Sequence, residues 1–480
     1  VTIDGTTKTT DSNGEVTFTI VQGEKDIQLS KEDYPNKTKT ILVSSEETSI
    51  QYEDNIQRVS SASGLESGLI INDPIQLQNN IDFSEVSQTG FSYNKEFDGN
   101  GYSITNFNLS STDKNTSFVS LGGVWKNTTF EGGIVENNSP EETDDSRLRY
   151  TNIFDKNRGT ISNITVDGIS FKGSENVTGG SEYISVVGSN EGVIEDTVIK
   201  NSSFEGKEEV SSLASLNYDG TIKNITVENT NITNTQDGTA AGLVTTNSYD
   251  NGDYNEVIRD ITMSDVTISA VSGAGIVNNN NALIENATVS NLQLTANDGA
   301  GGIALDNDTD AEINNVSVTG SITGGEDVGG IAGQNHGNIT DSVSEATVEG
   351  DRNIGGLVGK LYGNVSESAS KGNVVVNNAS EGVSYRNIGG FAGRLSNDAS
   401  INQSYSTGDV SVSGTTSDIG GFVGDIVYQD SNISISDSYS TGDVSAGNSY
   451  SVGGFIGETR PDNGYSITIE NSYSTGTVSG

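Results

Sequence analysis

The chain has 480 residues, of which only 32% are hydrophobic and 6% aromatic, with 59 glycines and no cysteine. So little apolar matter excludes a broad globular core, and the missing cysteine excludes disulfides, thiolate metal sites and a cysteine nucleophile. The formal charge of −42, from 66 acidic against 24 basic residues, repels phosphate backbones and anionic lipid, so nucleic acid and simple membrane-surface binding are disfavoured.

Acid excess with few lysines fits a protein that stays soluble in very high salt, where the Debye length falls to roughly 3 Å and self-repulsion is screened. A calcium-rich milieu is the alternative explanation. His336 is the only histidine, which removes multi-histidine metal sites. No run of about 18 apolar residues is present, so no membrane span is expected. Low hydrophobicity with high net charge is also the signature of disorder, but the apolar residues recur too regularly for that reading. A chain that begins at Val1 and stops at the close of a repeat, NSYSTGTVSG, reads as processed or as a fragment, with more coils or an anchor beyond.

Residues 1–53 differ from the rest. Short alternating strands are expected at Val1–Ile3, Val16–Ile20 and Ile27–Leu29, and Asp11-Ser12-Asn13-Gly14 can supply a positive-φ hairpin turn. Thr9, Thr10, Asp11, Asn13, Gly14 and Phe18 match a T-T-D-x-N-G-x-x-x-F pattern. This stretch therefore resembles the small β-sandwich modules of the carboxypeptidase-regulatory and PEGA-like kind. The resemblance implies a strand before the equivalent of Val1, so the module is expected to be incomplete or to be completed by another chain.

Residues 54–110 form a transition, with IINDPIQLQNNIDFS and FDGNGYSITNFNL combining apolar alternation with a glycine-rich turn. A stack of strands needs a closed first end to avoid edge-to-edge aggregation, and this segment is the natural cap.

From 111 to 480 a glycine-pair element repeats. It reads GAGGIAL, VGGIAG, IGGLVG, IGGFAG, IGGFVG and VGGFIG, with looser precursors LGGVW, YISVVG, AAGLV and GAGIV. Successive pairs after Gly301 fall at Gly329, Gly355, Gly389, Gly420 and Gly453, 26 to 34 residues apart. Such periods mean solenoids, propellers or arrays. Each unit offers three short β-branched segments divided by Gly, Asn and Asp turns. They fill about 20–25 residues, one β-helix coil at roughly 3.3 Å per residue. Propeller blades need about 40–45 residues, and leucine is too scarce for leucine-rich repeats. The expected fold is all-β: a right-handed parallel β-helix preceded by the small β-sandwich-like module. The units GGFAGRLSNDASINQSYSTGDVSVSG and GGFVGDIVYQDSNISISDSYSTGDVSAG resemble the GLUG-motif repeat, most clearly over 300–480, and FDGNGYSITNF resembles the coil that opens such arrays. That resemblance implies extracellular display and adhesion, and it carries no catalytic constellation.

Candidate chemistry is sparse. Asparagine sequons number eighteen: Asn36, Asn108, Asn115, Asn127, Asn137, Asn163, Asn176, Asn201, Asn224, Asn231, Asn286, Asn307, Asn315, Asn338, Asn364, Asn378, Asn402 and Asn432. In an exported chain these are glycosylation acceptors, although Asn, Ser and Thr also suit β-helix turns. Asp306, Asp308, Asp310 and Glu312 alternate along DNDTDAE, a spacing that can wrap a hard cation, so structural calcium is the one cofactor entertained; a solvated acidic face is the plainer alternative. Carboxylate pairs are too common here to indicate a polysaccharide-cleaving site, and no enzyme is expected. Coil length varies in KLYG, RLSNDAS, DIVYQDSN, ETRPDNGY and NNASEGVSYRN, which hold Tyr362, Tyr385, Arg386, Arg394, Tyr428, Arg460 and Tyr465. Insertions in solenoids map to one face, often the binding face, and Tyr and Arg suit contacts, so a glycan is the candidate ligand. The expected function is an extracellular structural and adhesive element of a surface appendage, filament or sheath, partnered by copies of itself or neighbouring subunits. A viral tail fibre binding a host glycan and a polysaccharide-active β-helix enzyme are the alternatives.

Overall fold

The computed structural model describes residues 1–9, 16, 18, 23–31, 34–43, 56–85, 89–112, 115–139, 149–174, 182–248, 257–379, 386–427, 432–460 and 466–479. From Gln57 to Ser479 the chain is a parallel β-solenoid of about 12 turns, in which strands pair with their counterparts one coil later. Three faces run its length as sheets of 12, 13 and 29 strands. In one coil, Arg352–Gly355 lies on the first face and Val358–Leu361 on the second; Asn364–Ser366, Ala369–Ser370 and Val374–Ala379 make the third. The parallel β-helix expected from the repeat spacing is what forms.

Composition dictates the shape of the core. One apolar residue per coil at each inward position makes columns, such as Leu357, Phe391 and Phe422, all fully buried. Phe391, Phe422 and Phe455 stack at 4.7 and 4.9 Å between ring centroids. The first coils are packed with rings instead, with Phe97 stacked on Trp125 at 3.7 Å and Phe83 tilted on Phe107 at 4.1 Å. Beside them sits a helix, Ala62–Ile71, whose N-cap Ser61 hydroxyl accepts from Gly64 N and which buries Ala62, Leu65 and Leu69. An amphipathic helix has no unpaired strand edge, so it suits the end of a stack.

The third face holds long strands, such as Thr221–Asn234, that are not straight. Asn224 (φ 53°) and Asn229 (φ 45°) break this one into three short runs. Asn and Asp tolerate the left-handed region because their short polar side chains bond locally. The first bend recurs in every coil from Asn127 onward, through Asn163, Asp196, Asn224, Asp260, Asn286, Asn315 and Asp341 to Asn471.

Ahead of the solenoid, Thr2–Ile3, Thr6–Thr7, Gly23–Lys31 and Tyr34–Val43 form a separate four-stranded antiparallel sheet. Val16 and Phe18 stand outside strands, and the turn expected at 11–14 lies outside the described residues.

Candidate functional site

The glycine signature has a steric cause. The first and second faces meet back to back, and the signature glycines line the contact. A side chain on Gly389 would place its Cβ 2.0 Å from Ala392 O, and one on Gly393 would sit 2.6 Å from Ile354 N and 2.7 Å from Asn353 C. Both obstacles are backbone, which cannot step aside. The neighbouring glycine faces the third sheet. There the buried hydroxyls of Ser406 and Ser440 both donate to Gly421 O, at 2.7 and 2.8 Å. The serine of S-Y-S-T-G is thus tied to the glycine pair.

Side chains flanking this contact are pressed into a polar seam. The first face contributes a left-handed column, Asp327, Asn353, Asn387 and Asp418. Asn353 Nδ2 donates to Asp327 Oδ1 (2.7 Å) and Asn387 Nδ2 to Asn353 Oδ1 (2.6 Å). The second face contributes Gln334, Lys360, Arg394, Asp425 and Glu458 in register. Lys360 Nζ and Gln334 Nε2 both donate to Asp327 Oδ2, at 2.9 and 2.8 Å. Arg460 closes the far end, bonded to the fully buried carboxylates of Asp425 and Asp418, the latter at 3.3 Å. Burial and the carboxylates of Glu458 and Asp425 push Asp418 up to about 7, with Arg460 opposing. Burial also raises Asp425, against the pull of Arg460 and Arg394. Electrostatically this is a staple between coils, with its cations spent on carboxylates of this same chain.

That placement corrects the loop reading. Arg386 is 2% exposed and grips Asp351 through its carboxylate (2.6 Å) and carbonyl (3.0 Å). Arg394 and Arg460 belong to the seam. Tyr362 stacks on His336 at 4.3 Å. Tyr385, Tyr428 and Tyr465 lie outside the described residues. Arg386 and Arg460 are drawn in because, in so acidic a chain, the few cations neutralise carboxylates held between coils. The variable stretches in KLYG and RLSNDAS lie between the second and third faces; 380–385 lies outside the described residues.

The acidic run is likewise dispersed. Asp306 sits in a second-face strand, Asp308 and Asp310 in the following turn, and Glu312 opens a third-face strand. Among the described residues no group of three or more His, Asp or Glu side chains is placed to hold a cation. Asp306 instead feels Asp327 and Asp308, which together with burial push it up to about 6. A continuous strand would line up these alternate residues on one face, but the chain turns between Asn307 and Glu312, so the four acids do not share one strand.

The sequons fall into three settings. Asn307 is fully buried in a column of seven asparagines, Asn157, Asn190, Asn217, Asn247, Asn280, Asn307 and Asn335, each amide bonded to the next at 2.7–2.9 Å. Asn137 is 2% exposed and accepts from Ser139 N. Neither has room for a sugar, so both are struck from the acceptors. A second group is laddered on the surface. Asn127, Asn163 and Asn315 donate Nδ2 to Asp98, Asn127 and Asn286, at 2.8–2.9 Å. Asn224, Asn286 and Asn201 donate to Asp196, Asp260 and Asp167. Asn364 donates to Asn338, and Asn402 to Gln403. Asn108, Asn115, Asn231, Asn338 and Asn432 are exposed and keep Nδ2 out of any ladder. Asn176 and the side chains of Asn36 and Asn378 lie outside the described residues.

Two features escaped the sequence reading. The buried asparagine column is written as an Asn closing each short second-face strand, in FDKN, VGSN and AGQN. The tyrosines of S-Y-S-T-G, Tyr405, Tyr439 and Tyr473, stack on the third face at 5.0 and 5.3 Å. Their identical position in successive repeats was the available signal.

Residues 384–411 match the family model of the GLUG motif. The chain is a β-solenoid that carries this motif. The glycine pair of that segment, Gly389-Gly390, is the one packed at the contact of the first two faces, and its Tyr405 begins the stack. No curated protein matches the chain. No helix among the described residues is long and apolar enough to cross a membrane.

Proposed function

We propose that the protein is an extracellular structural and adhesive rod of a cell-surface appendage, filament or sheath. The observation that carries this reading is register: most pairings between coils join like positions, so a side chain written once per repeat is presented as a line at about 4.8 Å intervals. Tyr405, Tyr439 and Tyr473 are such a line, as are the laddered asparagines. A rod of this kind needs no pocket; it acts by holding regular rows of groups at a distance from its attachment. The GLUG motif supports the same reading. The acid excess fits work in concentrated salt, where screening relieves the self-repulsion of a −42 charge. Gold-labelled antibody against residues 257–379 should decorate the outside of intact cells of the source organism, along extended structures in negative stain. Labelling confined to the cell interior, with none outside, would sink the proposal.

A further inference from the structure

Eighteen sequons cannot be equivalent once the coils are stacked, and the geometry sorts them. An asparagine becomes a glycan carrier when Nδ2 bonds to the anomeric carbon of a sugar delivered on a lipid diphosphate. The bond from that carbon to phosphate oxygen breaks, and one Nδ2 proton leaves to a base of the transferase. The reaction needs an amide nitrogen that can turn outward, and the product needs space beside it.

The laddered sequons fail on both counts. In Asn224, Asn286 and Asn315, Nδ2 points along the rod into the residue one coil earlier, at the roughly 4.8 Å spacing of coils. A pyranose ring is wider than that gap. Each of these residues also holds a left-handed bend, so turning its amide outward gives up the local bonding that makes the bend tolerable. Asn307 is sealed in the interior. By contrast, Asn108 and Asn432 immediately precede strands, and Asn115 and Asn338 open them. In Asn108, Asn115 and Asn432 the side-chain oxygen accepts from a backbone N–H of the next coil, which leaves Nδ2 facing out; in Asn338 it accepts from Asn364 Nδ2. Asn231 is exposed on the third face between Ser203 and Thr267, with Nδ2 engaged by neither.

We propose that Asn108, Asn115, Asn231, Asn338 and Asn432 are the glycan-bearing sequons among the described residues, and that the laddered and buried ones are structural. This rests on the surface reading only in requiring export. The test is secretion of the full chain from a host that modifies N-x-S/T, with a control sequon in a flexible tag. Site occupancy is then read by peptide mass spectrometry after glycosidase release in heavy-oxygen water. Sugar is expected at the five open sites and the control, with peptides holding Asn224, Asn286, Asn307 and Asn315 unmodified in the folded, secreted fraction. N231Q should remove one glycan without moving the melting temperature; N224Q and N286Q should lower it and leave the glycan mass unchanged. A glycan on Asn224, Asn286 or Asn307 in the folded protein overturns the assignment. So do five bare sites beside a modified control. Failure of the surface reading shows separately, as native protein inside the cell.

Discussion

The coils between Phe154 and Thr323 and those between Glu326 and Ser479 follow one path but put their polar groups in opposite places. From Asn157 to Asn335 the corner between the second and third faces is the buried asparagine column; in the coils after that the same positions are Leu361, Leu395 and Ile426. At the contact of the first two faces the exchange runs the other way. Earlier coils fill the column that later holds Gly333, Gly359 and Gly393 with Ser215, Thr245, Asn278 and Leu305. Glycine lets the two sheets close on each other, which forces the flanking side chains together and makes charge complementarity there a requirement. Where larger residues fill the column, the equivalent edge carries Glu209, Thr239 and Ser272; in the coils before them, beside Asp155 and Gly188, Tyr150 stacks on Tyr183. One fold thus tolerates two internal solutions, each locally self-consistent.

The sharpest way to break this comparison is to exchange residues within the one column. Gly393→Val puts a side chain where Cβ would lie 2.6 Å from Ile354 N, and it should cost more than about 3 kcal/mol, beyond ordinary overpacking. Thr245→Val occupies the matching position in the earlier coils. Its hydroxyl is buried with no hydrogen-bond partner among the described residues, so this substitution should be neutral or stabilising. Hydrogen exchange should show loss of protection around 354–395 in the first variant and none near 245 in the second. Equal tolerance at both positions would mean that the close approach of the faces is not what the signature encodes.

The asparagine column gives a smaller effect of the same logic. Within the column, Asn247→Leu orphans groups on both Asn217 and Asn280, whereas Asn335→Leu, at the end beside Leu361, orphans only Asn307; it also releases the carbonyls of Gly337 and Asn364, the first of which keeps the N–H of Asn364. At roughly 1 kcal/mol per orphaned group, the low end because several of these amides keep a backbone partner, the first should cost about twice the second. Urea unfolding of the two variants measures this. A cost that ignores position in the column would show that the amides are not coupled.

These residues also show how much could be read from the sequence. The glycine pairs and β-branched runs announced stacked coils because backbone contact and inward packing repeat with the coil. The asparagine column and most of the seam were not read, because their bonds join residues on different coils, 27 to 33 positions apart in the column and up to 42 in the seam, and exist only once register is fixed. Arg386, Arg394 and Arg460 looked like loop residues offered to a partner. Their carboxylate partners lie on neighbouring coils, out of reach of any local pattern. The run at Asp306–Glu312 failed for the reverse reason: it is local, but a turn between two strands falls inside it and disperses it.

The seam itself supplies the finest contrast, one of pH. Asp418 is raised from 3.8 to about 7, chiefly by burial, then by Glu458 and Asp425. The unfolded chain releases that proton near pH 4 while the folded one holds it to near neutrality. The folded state therefore binds more protons across this window, and stability must fall as pH rises through it. Glu458 is lowered, chiefly through its hydrogen bond to Asp418, so the two titrate as a pair sharing one proton, with Arg460 and Arg394 the cations facing them. Coils 257–296 hold no buried carboxylate. Moving from pH 5 to pH 8 at constant ionic strength should thus quicken exchange across 417–460 well before it touches 257–296. Asp418→Asn, which keeps the hydrogen bond and abolishes the titration, should flatten the difference. If both segments respond alike, and the variant with them, self-repulsion of the whole acidic surface governs the pH response and the seam adds nothing to it.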